Sequence, residues 1–183
     1  MIDLGHYCVY KISKKDAESI HRLMVSNAER FKRFFPKTLE QNLTVDLAQL
    51  FAAIKVKEFI TNEEFLYTIK ERKTNQVVGL VYIKELDWLK KQGEFAYCLD
   101  VQHEGKGLMS SVVKELSVYA FNKLGLDVLQ IIVHKSNIGS IKVAEKCTFV
   151  WQKTLLKSYT PPNEPPLDME LYELYSQELK ANK

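Results

Sequence analysis

The chain has 183 residues, 46% of them hydrophobic and 27% charged, with a formal net charge of +3. That size carries one domain with a substantial core, expected here to span residues 1–183. The mild charge, with no long Lys/Arg block, argues against a nucleic-acid partner, and no apolar run approaches the roughly 18 residues of a membrane span.

Residues 1–10 show neither a basic nor an apolar signal region. Cys8, Cys98 and Cys147 are far apart and odd in number, which predicts reduced thiols in a cytoplasmic protein rather than a disulfide frame. His6, His21 and His134 lack ligand-spaced partners, so no metal is expected.

Along the chain, residues 7–12 alternate and predict a strand. Caps at 13–16 precede a helix with Ile20, Leu23, Met24 and Ala28 on one face. Pro36 breaks residues 31–42 into a loop, and a second helix follows at about 44–60. Residues 65–71 and 77–86, around the turn at 74–76, predict a hairpin. A strand at 94–100 leads to a helix from about 105 to 123, then a strand at 128–134 and a short helix at 137–146. Two strands, about 149–160 and 168–176, close the chain around a proline-rich loop. The order β-αα-βββ-α-β-α-ββ predicts a mixed α/β domain of the α+β class, mostly antiparallel, with one β-α-β unit.

The chemistry concentrates where the strand at 94–100 meets the next helix. Gly105 and Gly107 let the backbone bend and a ligand approach. The first-turn N–H groups of a helix have no intrahelical partner and sit at the positive end of its dipole, which suits a pyrophosphate. Ser110 and Ser111 add hydroxyls and Lys106 adds charge. A P-loop needs Ser or Thr after Gly-Lys, and Gly107 stands there. A dinucleotide fingerprint needs a third glycine where Ser110 stands, and its acid at the end of the next strand, where His134 stands.

Gln102-x-x-Gly105-x-Gly107 resembles the pyrophosphate loop of the GNAT superfamily of N-acetyltransferases. Residues 137–149 resemble that family's N-x-x-S helix and following strand, 97–100 the strand before the loop, and Val78-Gly79 its earlier hairpin strand. The likeness runs through nearly the whole chain and is nearest to the ribosomal-protein-alanine (RimJ/RimL-like) branch.

The resemblance implies a GNAT fold: a central, mostly antiparallel sheet with a splayed parallel strand pair and about four flanking helices. It implies acetyl-CoA as co-substrate, its pantetheine arm pairing with backbone at Tyr97, Cys98 and Leu99. The pyrophosphate would rest on the stretch Gln102, Gly105, Lys106, Gly107, Leu108, Met109 and Ser110. Asn137 would touch the CoA arm and cap the short helix. Ser140 would face the departing sulfur and protonate it, though it reads equally well as a polar first-turn residue. The branch's catalytic Glu falls on Tyr159, so Glu94 is the substitute base, or else a solvated carboxylate beside Lys90 and Lys91.

Phe34 and Phe35 would line the acceptor pocket or belong to the core. The basic run Arg30, Lys32, Arg33 and Lys37 suits an acidic substrate or a solvated face. Thr148 replaces the family's glycine. Cys98 raises an acyl-cysteine route beside its reading as a buried thiol. His103, beside the phosphate loop, would contact CoA or else lie exposed and idle.

The expected acceptor is an α-amine of a protein or peptide N-terminus. A small-molecule amine is the second reading, and a non-catalytic acyl-CoA-binding regulator the third. Family members often pair through their C-terminal strands, so a homodimer is expected.

Overall fold

Period-two and period-3.6 patterns become strands and helices close to the expected places. The structure is a computed structural model that describes residues 1–177. Its contacts group into two compact units. The first holds Met1–Tyr82, Tyr97–His103 and Pro161–Glu164; the second holds Ile83–Ala96, Glu104–Thr160 and the described residues from Pro165 on.

In the first unit, β1 (Ile2–Leu4) and β2 (Tyr7–Lys11) pair antiparallel, and β2 pairs antiparallel with β3 (Phe65–Glu71). The N-terminal part of β4 (Val77–Asp87) and the C-terminal end of β5 (Gln92–Leu99) follow in order. β1 is a strand the sequence pattern misses. α1 (Ala17–Ser26) buries Ala17, Ile20, Leu23 and Met24, one stripe at helical spacing. The buried Asp16 precedes it, accepting from Ser13 N–H (3.0 Å) and pairing with Lys70 Nζ (2.6 Å). α4 (Val45–Ile60) starts at Thr44, whose hydroxyl accepts the Leu47 N–H.

Residues 31–42 are not the loop expected from Pro36. α2 (Ala28–Phe31) runs into them, and Pro36 opens a further helix, α3 (Pro36–Glu40). Proline lacks an N–H that a first helical residue does not need, and its φ is already helical, so it starts this helix.

In the second unit the order is β4, β5, β6 (Val128–Val133), β8 (Leu167–Tyr175), β7 (Val150–Tyr159). β5 and β6 run parallel, in register from Gln92–Val128 to Phe95–Ile131. β5 continues to Leu99 and β6 to Val133. β8 pairs antiparallel with both β6 and β7. α5 (Leu108–Tyr119) ends in a π-turn at Ala120–Leu124, closed by Gly125 at φ +73°. α6 (Ile138–Lys146) precedes β7.

The core of this unit centres on Phe95, Leu116, Leu126, Leu129, Ile131 and Leu174, each almost fully buried. Burial of each such side chain stabilises the fold by about 1.5–3 kcal/mol. The described residues thus form six α-helices where about four were expected. Among them no helix is long and apolar enough to cross a membrane.

Candidate active site

Within the second unit, Gly105 and Gly107 both lie in the left-handed region, at φ +74° and +76°, and a Cβ on either would meet nothing within 4 Å. The glycines therefore serve backbone conformation and open approach, not tight packing. Because Gly107 cannot be helical at that φ, α5 begins at Leu108, three residues later than the sequence pattern suggests. Gly107 is the N-cap and has no side chain to cap the first-turn N–H groups of Leu108, Met109 and Ser110.

Leu108 and Met109 are buried, so their side chains anchor the helix start and only their backbone faces the role expected of them. Ser110 is buried too, and its carbonyl accepts from the Cys147 thiol at 3.3 Å. The Ser111 hydroxyl donates back to Gly107 O (3.3 Å). Lys106 is exposed.

The start of the loop belongs to the first unit and is built differently. A 3-10 turn at Val101–His103 has its N–H groups committed: Val101 to Asn27 Oδ1 (3.2 Å), Gln102 to Asp100 Oδ1 (2.9 Å), His103 to Asp100 O (2.9 Å). The Gln102 N–H thus already has Asp100 Oδ1 as its partner. His103 is half-buried, not exposed. Its ring meets Tyr7 edge-on at 5.7 Å, and its Nδ1 is buried without a hydrogen-bond partner.

Tyr97 is half-buried; Cys98 and Leu99 are buried. Burial pushes the Cys98 thiol up to about 12, outweighing the opposing effects of Leu80 backbone and Arg30. A thiol so reluctant to ionise is a poor acyl acceptor, which weighs against the acyl-cysteine route.

In the second unit Glu94 lies opposite Gln130, and its carboxylate pairs with Lys84 Nζ at 2.8 Å. The lysines expected beside it go elsewhere, Lys90 to Asp87 (3.0 Å) and Lys91 to Asp127 (3.4 Å). Asn137 caps α6 as expected, its Oδ1 accepting the Ser140 N–H at 3.1 Å. Ser140 is half-buried in that first turn. Tyr159 ends β7 opposite Leu167 and is half-buried. Thr148 adopts φ +64°, the left-handed conformation that the missing glycine would favour.

Phe34 and Phe35 are both half-buried. Phe35 packs on the buried Phe31 at 6.3 Å, and the Arg33 guanidinium lies over Phe34 at 5.1 Å. The neighbouring cations are largely engaged. Lys32 pairs with Glu29, Arg33 reaches both Glu164 oxygens (2.9 and 2.8 Å), and Arg30 donates to Asn27 Oδ1 (3.1 Å). The local positive charge is thus smaller than composition suggests. Sequence reasoning missed Asn27, Asp100 and Lys84. Only a polar residue breaking the apolar stripe at the end of α1 hinted at the first.

Residues 8–150 match the profile of the acetyltransferase (GNAT) domain. The chain is 28% identical over 135 residues to "Probable N-acetyltransferase YjcK" of Bacillus subtilis, covering 73% of this chain and 75% of that protein. Its structure is similar to the ribosomal-protein-S5-alanine acetyltransferase of Vibrio fischeri, with a TM-score of 0.90 at 21% identity, covering 97% of each chain. It is also similar to the spermidine N-acetyltransferase of Vibrio cholerae, solved with CoA and spermine, at a TM-score of 0.77 and 19% identity, covering 94% of this chain and 96% of that one.

Proposed function

The chain belongs to the GNAT acetyltransferase domain family and is an N-acetyltransferase; from that premise we propose that it transfers the acetyl group of acetyl-CoA directly to the α-amine of a protein or peptide N-terminus. The observation that carries the cofactor is the uncapped start of α5 behind two left-handed glycines, a row of N–H donors suited to a pyrophosphate. In this reading Gly105 to Ser110 hold the pyrophosphate and backbone at Tyr97 to Leu99 pairs with the pantetheine arm. Asn137 fixes the arm from the N-terminus of α6.

The amine nitrogen attacks the thioester carbon, the carbonyl electrons move to oxygen, and collapse breaks the C–S bond. Backbone N–H groups at 97–99 stabilise the oxyanion, and the Ser140 hydroxyl gives its proton to the leaving thiolate. The adduct nitrogen gives up its extra proton, which returns through solvent to the Ser140 oxygen, so the amide forms and the serine is restored in the same cycle. One observation and one expectation favour an acceptor that arrives neutral: Glu94 is engaged by Lys84, and the resemblance puts Tyr159 at the place of the family's Glu. Deprotonation at pH 7 costs about 1 kcal/mol for an α-amine against about 4.6 kcal/mol for a lysine-like amine. Phe34 and Phe35 would flank the acceptor. The same reading has the chain act as one cytoplasmic domain, paired as a homodimer through the largely exposed β7.

CoA release, with mass detection of the acetylated product, tests this on N-terminal peptides, spermidine and an Nα-blocked lysine peptide. The α-amine peptides are expected to give a kcat/KM at least tenfold above the others. Preference for spermidine overturns the acceptor assignment, and CoA binding without turnover on any amine supports the regulatory reading instead.

A further inference from the structure

Asn27 is almost fully buried, 4% exposed, at the junction of α1 and α2. A side-chain amide has two donor and two acceptor positions. Here all four are taken. Nδ2 donates to Leu23 O (3.0 Å) and shares its other proton between Ser26 Oγ (3.2 Å) and Asp100 Oδ2 (3.4 Å), while Oδ1 accepts from Arg30 Nη1 (3.1 Å) and Val101 N–H (3.2 Å). Asp100 continues the network: its other carboxylate oxygen holds the Gln102 N–H, and its own N–H donates to Val78 O (2.8 Å). Arg30 closes it by donating to Leu99 O (3.4 Å). A buried polar group so completely satisfied fixes geometry, because any displacement of the loop strands a donor or acceptor.

We propose that Asn27, Asp100 and Arg30 are positioning residues, a hydrogen-bonded latch that sets the end of the cofactor-arm strand and the start of the phosphate loop. The proposal rests on the acetyl-CoA reading above. None of the three is assigned to touch the cofactor. They act through Leu99, Val101 and Gln102, whose backbone they hold. The same junction begins α2, which leads to Phe34 and Phe35, so the latch ties the acceptor-side segment to the cofactor strand.

Asn27→Asp turns the donor facing Asp100 into a carboxylate, and Asp100→Asn opposes two amide donors. The double swap Asn27→Asp with Asp100→Asn restores a donor–acceptor pair between the two positions. Arg30→Ala perturbs the latch from the exposed side, where folding is not at risk. CoA dissociation constants by calorimetry, with acetyl-CoA KM and kcat measured separately, read the effect. Each single variant at Asn27 or Asp100 should weaken CoA by at least tenfold and Arg30→Ala by about threefold, with KM carrying most of the change and kcat little of it. The double swap should recover most of the loss.

If wild type binds CoA and folded Arg30→Ala and Asn27→Asp bind it equally well, the latch proposal fails alone. If wild type does not bind CoA, the acetyl-CoA reading and the latch fall together. Loss confined to kcat overturns the positioning role in favour of a direct one.

Discussion

Replacing Gly79 by alanine tests how closely β4 and the end of β5 approach. A Cβ there would sit 2.9 Å from Cys98 O, 2.9 Å from Leu99 Cδ1 and 3.1 Å from Ile69 Cδ1. The leucine and isoleucine carbons can give way by small rotations. The carbonyl oxygen belongs to the backbone, so β5 itself must shift by several tenths of an ångström. Overpacking of this kind costs about 1–3 kcal/mol. For a chain of this size that corresponds to a fall in Tm of about 2–12 °C, at about 2–4 °C per kcal/mol. Urea unfolding at unchanged m would give the stability loss directly, and CoA titration of the folded variant would show whether the displaced strand weakens the cofactor arm. An alanine variant within about 0.5 kcal/mol of wild type would refute the close packing.

Gly139→Ala should move the other way. Its Cβ would meet only Asn137 Oδ1, at an ordinary 3.7 Å, and alanine in α6 gains about 0.5–1 kcal/mol of helix propensity, read as a higher urea midpoint. Thr148→Asn should stabilise by about 1 kcal/mol, part of the roughly 1–3 kcal/mol stored by a β-branched residue at φ +64°; a lower Tm would refute the strain. Burial raises Cys98 to about 12 and Cys147 to about 11 from the ordinary 9.0, so both thiols keep their protons in the folded chain where the unfolded chain loses them. Stability is therefore complete below pH 9 and falls as pH climbs toward 11 and 12, a slope that reducing-buffer urea titrations should find flattened in Cys98→Ala. That variant should also keep its kcat under direct transfer, and lost turnover would restore the acyl-cysteine route.

Strands and helices were legible because their signals are local. The alternation at 7–12 and the stripe Ile20, Leu23, Met24 needed no knowledge of partners. The loop glycines and the Asn137 cap were legible for the same reason, since a left-handed turn and an N-cap are each written within four residues. Pro36 failed because proline both ends and begins helices, and only the downstream packing of Leu39, which is buried, decides between them. What sequence could not supply were pairings across distance. Asn27 and Asp100 are separated by 73 residues, and nothing local marks either as the other's partner.

The acceptor question turns on one such pairing. Counted in sequence, the segment around Phe34 and Phe35 is basic, and that counts against a polyamine. Arg33, however, forks onto Glu164, 131 positions away, and Lys32 is held by Glu29. With those charges neutralised, repulsion of a cationic acceptor no longer discriminates between the candidate substrates. Proton affinity remains as the discriminator. Glu94 is engaged by Lys84, so in the proposed reading the acceptor that needs the least help losing its proton is favoured. The decisive comparison is the pH dependence of turnover. An enzyme relying on a neutral α-amine should gain kcat/KM tenfold per pH unit below the amine's pKa near 8 and level off above it. A rate that keeps climbing past pH 9 would point instead to an amine with a lysine-like pKa.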